Sequence, residues 1–444
     1  MNTAFRSRLV VLGLDGLPFS TAVRLCREGR LPNLARLALS PRACPIQAEL
    51  PELSPVNWTS FFTAAGPEEH GIFGFTSLDP HSYALRFADA TQIRVRTIFD
   101  RLGERGLSSR IVNLPNMYPA KPLKGMLVAG FTAPELSRAV YPPFLAHQLR
   151  DRGYLLEADT DRGGHDPRYL LESLESTLRG RRAALDLLWP DQAWDLFVLV
   201  LTETDRLGHF LFPALEDEHH PWREPCLDFL TKWDALIGEV LERFADLPEP
   251  KRLMVLADHG FAGLIAETDL NAWLKQQGLL ALGRAPDNEW DCRHITRQTL
   301  AFALDPGRIY LHTPRFVRGR LSESRAEALR ETLRQALLSL TWQETPVMQA
   351  VFHGRKLYPG ADSPLVPDLV CLPRPGFSLR AKFNATKVFD KAHRQGCHTA
   401  HNAFFFDSAG SIPQRVRDVG REVLHFFQAD APLILVRNHF ETQT

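Results

Sequence analysis

Three apolar runs of strand length set the architecture. VVLGL at Val10–Leu14, LFVLVL after Asp195 (Asp195–Leu201) and LMVLA at Leu253–Ala257 are apolar throughout and do not alternate. Strands apolar on both faces must be covered on both faces, the condition of a parallel sheet between layers of helix. Further strands are expected at Arg110–Leu114, Met126–Ala129, Arg308–His312, Asp368–Leu372 and Ala403–Phe406. Helical spacing fills Leu170–Leu188, Trp222–Phe244 and Arg415–Phe427, and Ser20–Leu39 with interruptions at Gly29 and Pro32. The expected fold is α/β, with a mostly parallel central sheet sandwiched by helices. At 444 residues the chain suits one large α/β domain over 1–444. Segments of about 76–170 and 265–395, richer in Pro, Gly and Arg, are expected to be cap or insertion segments.

Each of the three runs ends near a metal-ligating side chain. Asp15 follows the first, Asp205 and His209 the second, and Asp258 and His259 the third. Parallel sheets carry their chemistry at the carboxyl ends of their strands. Carboxylate and imidazole together suit zinc, with manganese the alternative. Asp205 and His209 are four apart, so one helical turn places both on one face. Asp258 and His259 are adjacent and need a sharp backbone turn, which Gly260 permits. Any one of these is ordinarily a turn or a surface pair; three ligand-rich strand ends in one chain are not.

Ser54-Pro55 opens a helix, with Ser as a good N-cap and Pro suited to the first turn. A helix N-terminus also suits a phosphoryl group, and a bound cation can activate a hydroxyl nucleophile there.

Composition excludes several classes. Lys plus Arg equals Asp plus Glu at 52 each, without the basic excess of proteins that track nucleic-acid phosphates or anionic lipid. The runs RGRR at 179 and RFVRGR at 315 read as solvated faces. The expected partner is a small or local substrate, with no nucleic acid and no membrane. Six scattered cysteines form no CxxC pair, and the apolar N-terminal run reads as a strand, not a signal peptide. A soluble, reduced, cytoplasmic protein is expected.

In order along the chain stand LVVLGLDGL with LPNLARL, LSPVNWTSFFTAAGPEEHGIFGF, TETDRLGHF, VLADHGF and QGCHTAHNAFFF. Together they resemble the alkaline phosphatase superfamily, and more closely its type I phosphodiesterase/nucleotide pyrophosphatase branch. The resemblance implies two divalent metal ions. One would be held by Asp15, Ser54, Asp258 and His259, the other by Asp205, His209 and His398. GCHTAH also offers His401, but His398 directly follows the Gly-x step. The resemblance further implies Ser54 as nucleophile through a phosphoserine intermediate, and Asn57 as a donor to a phosphoryl oxygen. His70 and Gly71 read as a structural loop, and His219 and His220 as surface or cap residues. Trp58, Phe75, Asn113 and Tyr118 are candidate wall residues.

The chain departs from the branch in using serine where threonine is common, and in lacking an evident arginine clamp for a dianionic phosphate. Arg206 and Arg394 are the candidates for one. The expected activity is therefore metal-dependent hydrolysis of small-molecule phosphoesters, foremost of phosphodiesters. A monoesterase, a phosphomutase or phosphotransferase, and a non-catalytic metal-binding protein are the alternatives. A sulfatase is disfavoured because SPVNW lacks the C/S-x-P-x-R pattern.

Overall fold

The computed structural model describes residues 6–361 and 363–430. Residues 1–5, 362 and 431–444, which the expected 1–444 domain includes, lie outside the described residues. At the centre is an eight-stranded sheet. Five parallel neighbours form its middle, in the order Lys251–Leu256, Arg8–Leu14, Leu196–Leu201, Ser109–Leu114 and Gly125–Ala129. Antiparallel strands close both sides. Ala403–Asp407 with Ala43–Ile46 lies beyond Lys251–Leu256, and Val140–Tyr141 beyond Gly125–Ala129. The three apolar runs are thus adjacent. Every residue of Leu196–Leu201 is buried, as is all of Arg8–Leu14 beyond its first residue. Each large apolar side chain withdrawn in this way contributes about 1.5–3 kcal/mol.

Helices Pro167–Leu188, Arg223–Ala245 and Val416–Phe426 match the predicted segments to within a few residues. Gly29 and Pro32 divide the first predicted helix into Phe19–Arg27 and Pro32–Ala38. Among the described residues, no helix is long and apolar enough to cross a membrane. All six cysteines are unpaired.

One assignment changes. The 76–170 segment is not a cap throughout: Ser109–Leu114, Gly125–Ala129 and Val140–Tyr141 belong to the central sheet. The first two stand where apolar runs placed strands at Arg110–Leu114 and Met126–Ala129. Within the 265–395 segment, Arg308–Leu311 and Leu369–Pro373 form strands as expected, outside the main sheet, in a four-stranded antiparallel sheet with Ala301–Leu304 and Met348–His353. That sheet carries a second hydrophobic core, which Leu78 and Tyr83 join from the segment after residue 75.

The basic runs are not simply solvated. Arg181 is wholly buried, donating to the Leu155 and Leu156 carbonyls at 2.6 and 2.8 Å. Arg315 is half-buried and paired with Asp368.

Arg252 and Asp407 form a buried pair across neighbouring strands, at 3.0 and 2.6 Å, with Glu422 at 2.8 Å from the same guanidinium. Burial alone would raise the Asp407 carboxyl, but Arg252 and Ser411 hold it below its ordinary value. An Asp with a depressed folded pKa adds stability above its unfolded pKa of about 3.9 and loses it as pH falls through the folded value. Asp407→Asn is expected to cost about 2 kcal/mol near neutral pH. Urea unfolding should show the gap to wild type closing between about pH 5 and pH 3.

Candidate active site

Ser54, Asp15, Asp205, Asp258 and three histidines converge at the carboxyl ends of the three adjacent apolar strands. Asp15 directly follows the first strand, and the turn needs Gly16. Its φ is +68°, and a Cβ there would lie 3.1 Å from Asp205 and 3.2 Å from His259. The Gly16 amide donates to Asp258 Oδ1 at 3.2 Å. Asp205 and His209 occupy successive turns of helix Glu203–Glu216, and both are buried. Asp258 and His259 bridge Lys251–Leu256 and Gly260–Gly263. The role of Gly260 is close approach, since a Cβ would meet the His401 carbonyl at 2.3 Å. His398 lies on Gly396–Thr399, paired antiparallel with Gly260–Gly263.

Ser54 is not the cap of its helix. Leu53 is, and Ser54 is the first residue of Ser54–Thr63. Its hydroxyl faces the acidic cluster instead, 3.4 Å from Asp15 Oδ1 and 3.3 Å from His259 Nε2. The other oxygen of Asp15 accepts from Trp58 Nε1 at 3.3 Å. Trp58 therefore positions a carboxylate from a buried place and does not line a wall.

The potential ligand atoms fall into two groups, Asp15, Asp258 and His259, and Asp205, His209 and His398. Within each they lie no more than 4.8 Å apart. His398 Nε2 is 3.1 Å from Asp205 Oδ1 and 3.0 Å from His209 Nε2. His401 is exposed outside both groups. His259 Nε2 is 3.8 Å from Asp205 Oδ1, so the groups touch.

The donor set fits metal ions. His398 Nδ1 and His259 Nδ1 meet backbone carbonyls of Glu52 and Gly260 at 2.9 and 3.1 Å. As N–H donors there, they leave both Nε2 lone pairs directed at the carboxylates. Asp258 Oδ2 is buried without a hydrogen-bond partner. Burial, then Asp258 and Asp205, drives the Asp15 carboxyl well above its ordinary value, and burial pushes Asp258 up to about 6. Burial drives the His209, His259 and His398 imidazoles down. Asp205 differs: burial opposes ionisation, but His209 and Arg206 hold it well below the usual range. Crowded carboxylates beside neutral imidazoles are what divalent cations relieve.

Several candidates fall elsewhere. Asn57 does not face the site. Its amide NH₂ donates to the Glu49 and Leu53 carbonyls at 3.2 and 3.1 Å, and its oxygen accepts from the Glu49 amide at 2.6 Å. Both donors are spent, leaving none for a phosphoryl oxygen. Asn113 is likewise buried, bonded to the Val200 carbonyl. His70 bonds Ser60 at 3.0 Å and the Ile72 amide at 3.1 Å. Phe75 packs edge-on to Phe131, over which the Arg206 guanidinium lies at 4.2 Å. Phe131 and Glu157 carried no sequence signal.

The type I phosphodiesterase / nucleotide pyrophosphatase family model matches residues 9–403. The chain belongs to this family. Similar solved structures extend the likeness. Phosphonoacetate hydrolase from Sinorhizobium meliloti 1021, in complex with phosphonoacetate, has TM-score 0.63 and 15% identity, with 96% of each chain covered. An inactive variant of murine ectonucleotide pyrophosphatase / phosphodiesterase 5, in complex with AMP, gives 0.57 and 12%, with 95% of each covered. The alkaline phosphatase PafA gives 0.60 and 12%, with 96% of this chain and 97% of that one covered. No curated protein matches. The family member is a phosphoester hydrolase with an alkaline phosphatase-like fold.

Proposed function

We propose that this hydrolase cleaves phosphodiesters through a phosphoserine on Ser54, at two divalent-cation sites. The observation that carries the reading is the Ser54 hydroxyl at the start of its helix, turned away from capping and toward Asp15 and His259. Asp15, Asp258 and His259, with Ser54, would hold one ion, and Asp205, His209 and His398 the other. Zinc suits this N/O donor set, with manganese as the alternative. Such ions supply Lewis-acid stabilisation of the nucleophile, the leaving oxygen and the developing phosphoryl charge.

The chain's own residues do the rest. Ser54 Oγ gives its proton to solvent and attacks phosphorus in line with the ester oxygen. The P–O ester bond breaks, and the leaving oxygen takes up a proton from solvent. Water then attacks the phosphoserine, restoring the serine hydroxyl and releasing a monoester. The positive end of helix Ser54–Thr63 favours the phosphoryl oxygens.

Arg206 supports a diester over a monoester. It is buried beside the second cluster, but its guanidinium is committed to Asp205 and to Glu157, the latter at 2.9 Å. A cation already paired with two carboxylates offers little to the second charge of a dianion. The complexes with AMP and phosphonoacetate support a small phosphorus-bearing substrate.

With zinc or manganese added, kcat/KM for bis-p-nitrophenyl phosphate is expected to exceed that for p-nitrophenyl phosphate by about 10-fold or more, or ~1.4 kcal/mol of selective stabilisation. A monoester preference would replace this reading with a phosphatase or mutase served by another cation. Exposed Arg394, whose charge depresses His209, would be the first to replace.

A further inference from the structure

The segment Glu49–Leu53 touches both halves of the site. It leads directly into Ser54, and its Glu52 carbonyl receives His398 Nδ1 at 2.9 Å. One stretch of backbone thus sets the nucleophile in the first cluster and a ring orientation in the second. What holds that stretch is remote in sequence. Glu49 is 1% exposed in its side chain and meets Arg417 through both carboxylate oxygens, the Nε contact being 2.6 Å. Arg417 also reaches Glu68 at 2.5 Å. Gly66 leaves the guanidinium its room, since a Cβ there would lie 2.3 Å from it. Asn57 clamps the Glu49 backbone on both its N–H and its C=O. From a separate small apolar cluster with Phe73, Val366 and Val370, Tyr358 donates to the Leu50 carbonyl at 2.7 Å. The helix bearing Arg417, Val416–Phe426, packs on the nucleophile helix so closely that a Cβ at Gly420 would meet the Phe61 carbonyl at 2.0 Å.

We propose that Glu49 is a positioning residue: its ion pair with Arg417 fixes the Glu49–Leu53 backbone, and so aligns Ser54 and His398 together. A buried ion pair contributes little net stability against an apolar replacement, so its worth lies in geometry. A bidentate Arg–carboxylate pair fixes direction as well as distance. Residues that orient metal-ligating imidazoles typically change metal affinity 10–100-fold when replaced. The inference rests on the proposed roles of Ser54 and His398, but part of its test is independent of turnover.

The test compares Glu49→Gln, Arg417→Met, Arg417→Lys and Tyr358→Phe with the intact full-length chain. Glu49→Gln is expected to lower kcat on bis-p-nitrophenyl phosphate by about 10–100-fold with KM changed less than about threefold, and to weaken zinc binding by about 10-fold. Arg417→Lys should restore part of the kcat lost in Arg417→Met. Tyr358→Phe, which removes one donor and keeps the packing, should lower kcat a few-fold with the melting temperature nearly unchanged. In the zinc-free protein, ¹⁵N shifts of His398 should report a fixed Nδ1–H tautomer that Glu49→Gln loosens. This readout stands whether or not Ser54 proves to be the nucleophile. A folded Glu49→Gln variant with wild-type kcat, zinc affinity and His398 tautomer would overturn the proposal. So would losses that merely follow the unfolded fraction.

Discussion

Replacing Ser54 by alanine is expected to abolish turnover, with kcat falling by about 10³-fold or more, while the chain stays folded and keeps most of its metal. On the proposed covalent route the rate loss follows because, without the hydroxyl, no phosphoserine could form and water would have to attack the ester directly. Metal retention follows from the donor count: Asp15, Asp258 and His259 remain, and Trp58 still orients Asp15. The fold survives because Ser54 is buried at a helix start where alanine fits, and its hydroxyl makes no capping bond that would be lost. Acid quenching of the wild type during diester turnover should yield a phosphorylated peptide containing Ser54, absent from the alanine variant. Ser54→Thr retains a hydroxyl and should keep measurable activity. Full activity in the alanine variant would reduce Ser54 to a buried polar residue and move the nucleophile elsewhere.

The sequence displays the sheet clearly because burial on both faces writes itself as an unbroken apolar run. Arg8–Leu14, Leu196–Leu201 and Lys251–Leu256 could be placed for that reason. Partners are not written the same way. Arg308–Leu311 and Leu369–Pro373 are as apolar as central strands, but they pair antiparallel in a separate sheet. An apolar run records that a strand is covered, not by what. The two Asp/His groups stood out because Asp and His at strand ends are chemically distinctive, and four-residue spacing on a helix needs no tertiary knowledge. Asn57 misled for the opposite reason: an amide in a first helical turn suits a phosphoryl oxygen and a backbone clamp equally well, and only the position of Glu49 decides. Arg181 resembled a solvated charge because its run is basic, whereas its helix turns it inward onto two carbonyls. The Glu49–Arg417 contact joins positions 368 residues apart and leaves no local trace.

Asp205 is where the second large effect is expected. Its Oδ1 lies 3.1 Å from His398 Nε2, 3.4 Å from His209 Nε2 and 3.8 Å from His259 Nε2, so three imidazoles face one carboxylate oxygen. Its Oδ2 is held by Arg206. Asp205→Asn preserves shape and removes only charge. In place of an anionic donor, the second cluster would hold an amide beside two neutral imidazoles and a buried guanidinium, a poor host for a divalent cation. Elemental analysis should find about one equivalent of metal lost, and diester turnover should fall by about 10³-fold, comparable to Ser54→Ala. Stability gives an independent reading. A cation that binds only the folded chain, at a hundredfold its Kd, adds about 2.7 kcal/mol, so chelation should lower the wild-type melting temperature by a few degrees. Asp205→Asn should show a smaller shift on chelation, because one of its two sites has already been emptied by the substitution. Ser54→Ala should keep most of the wild-type shift. The two variants would then be alike in activity and opposite in metal response, which separates loss of the nucleophile from loss of the ion that serves it. If Asp205→Asn kept its full metal content, His209 and His398 would have to hold the second ion without Asp205, and the partition of the ligands into two groups would be wrong.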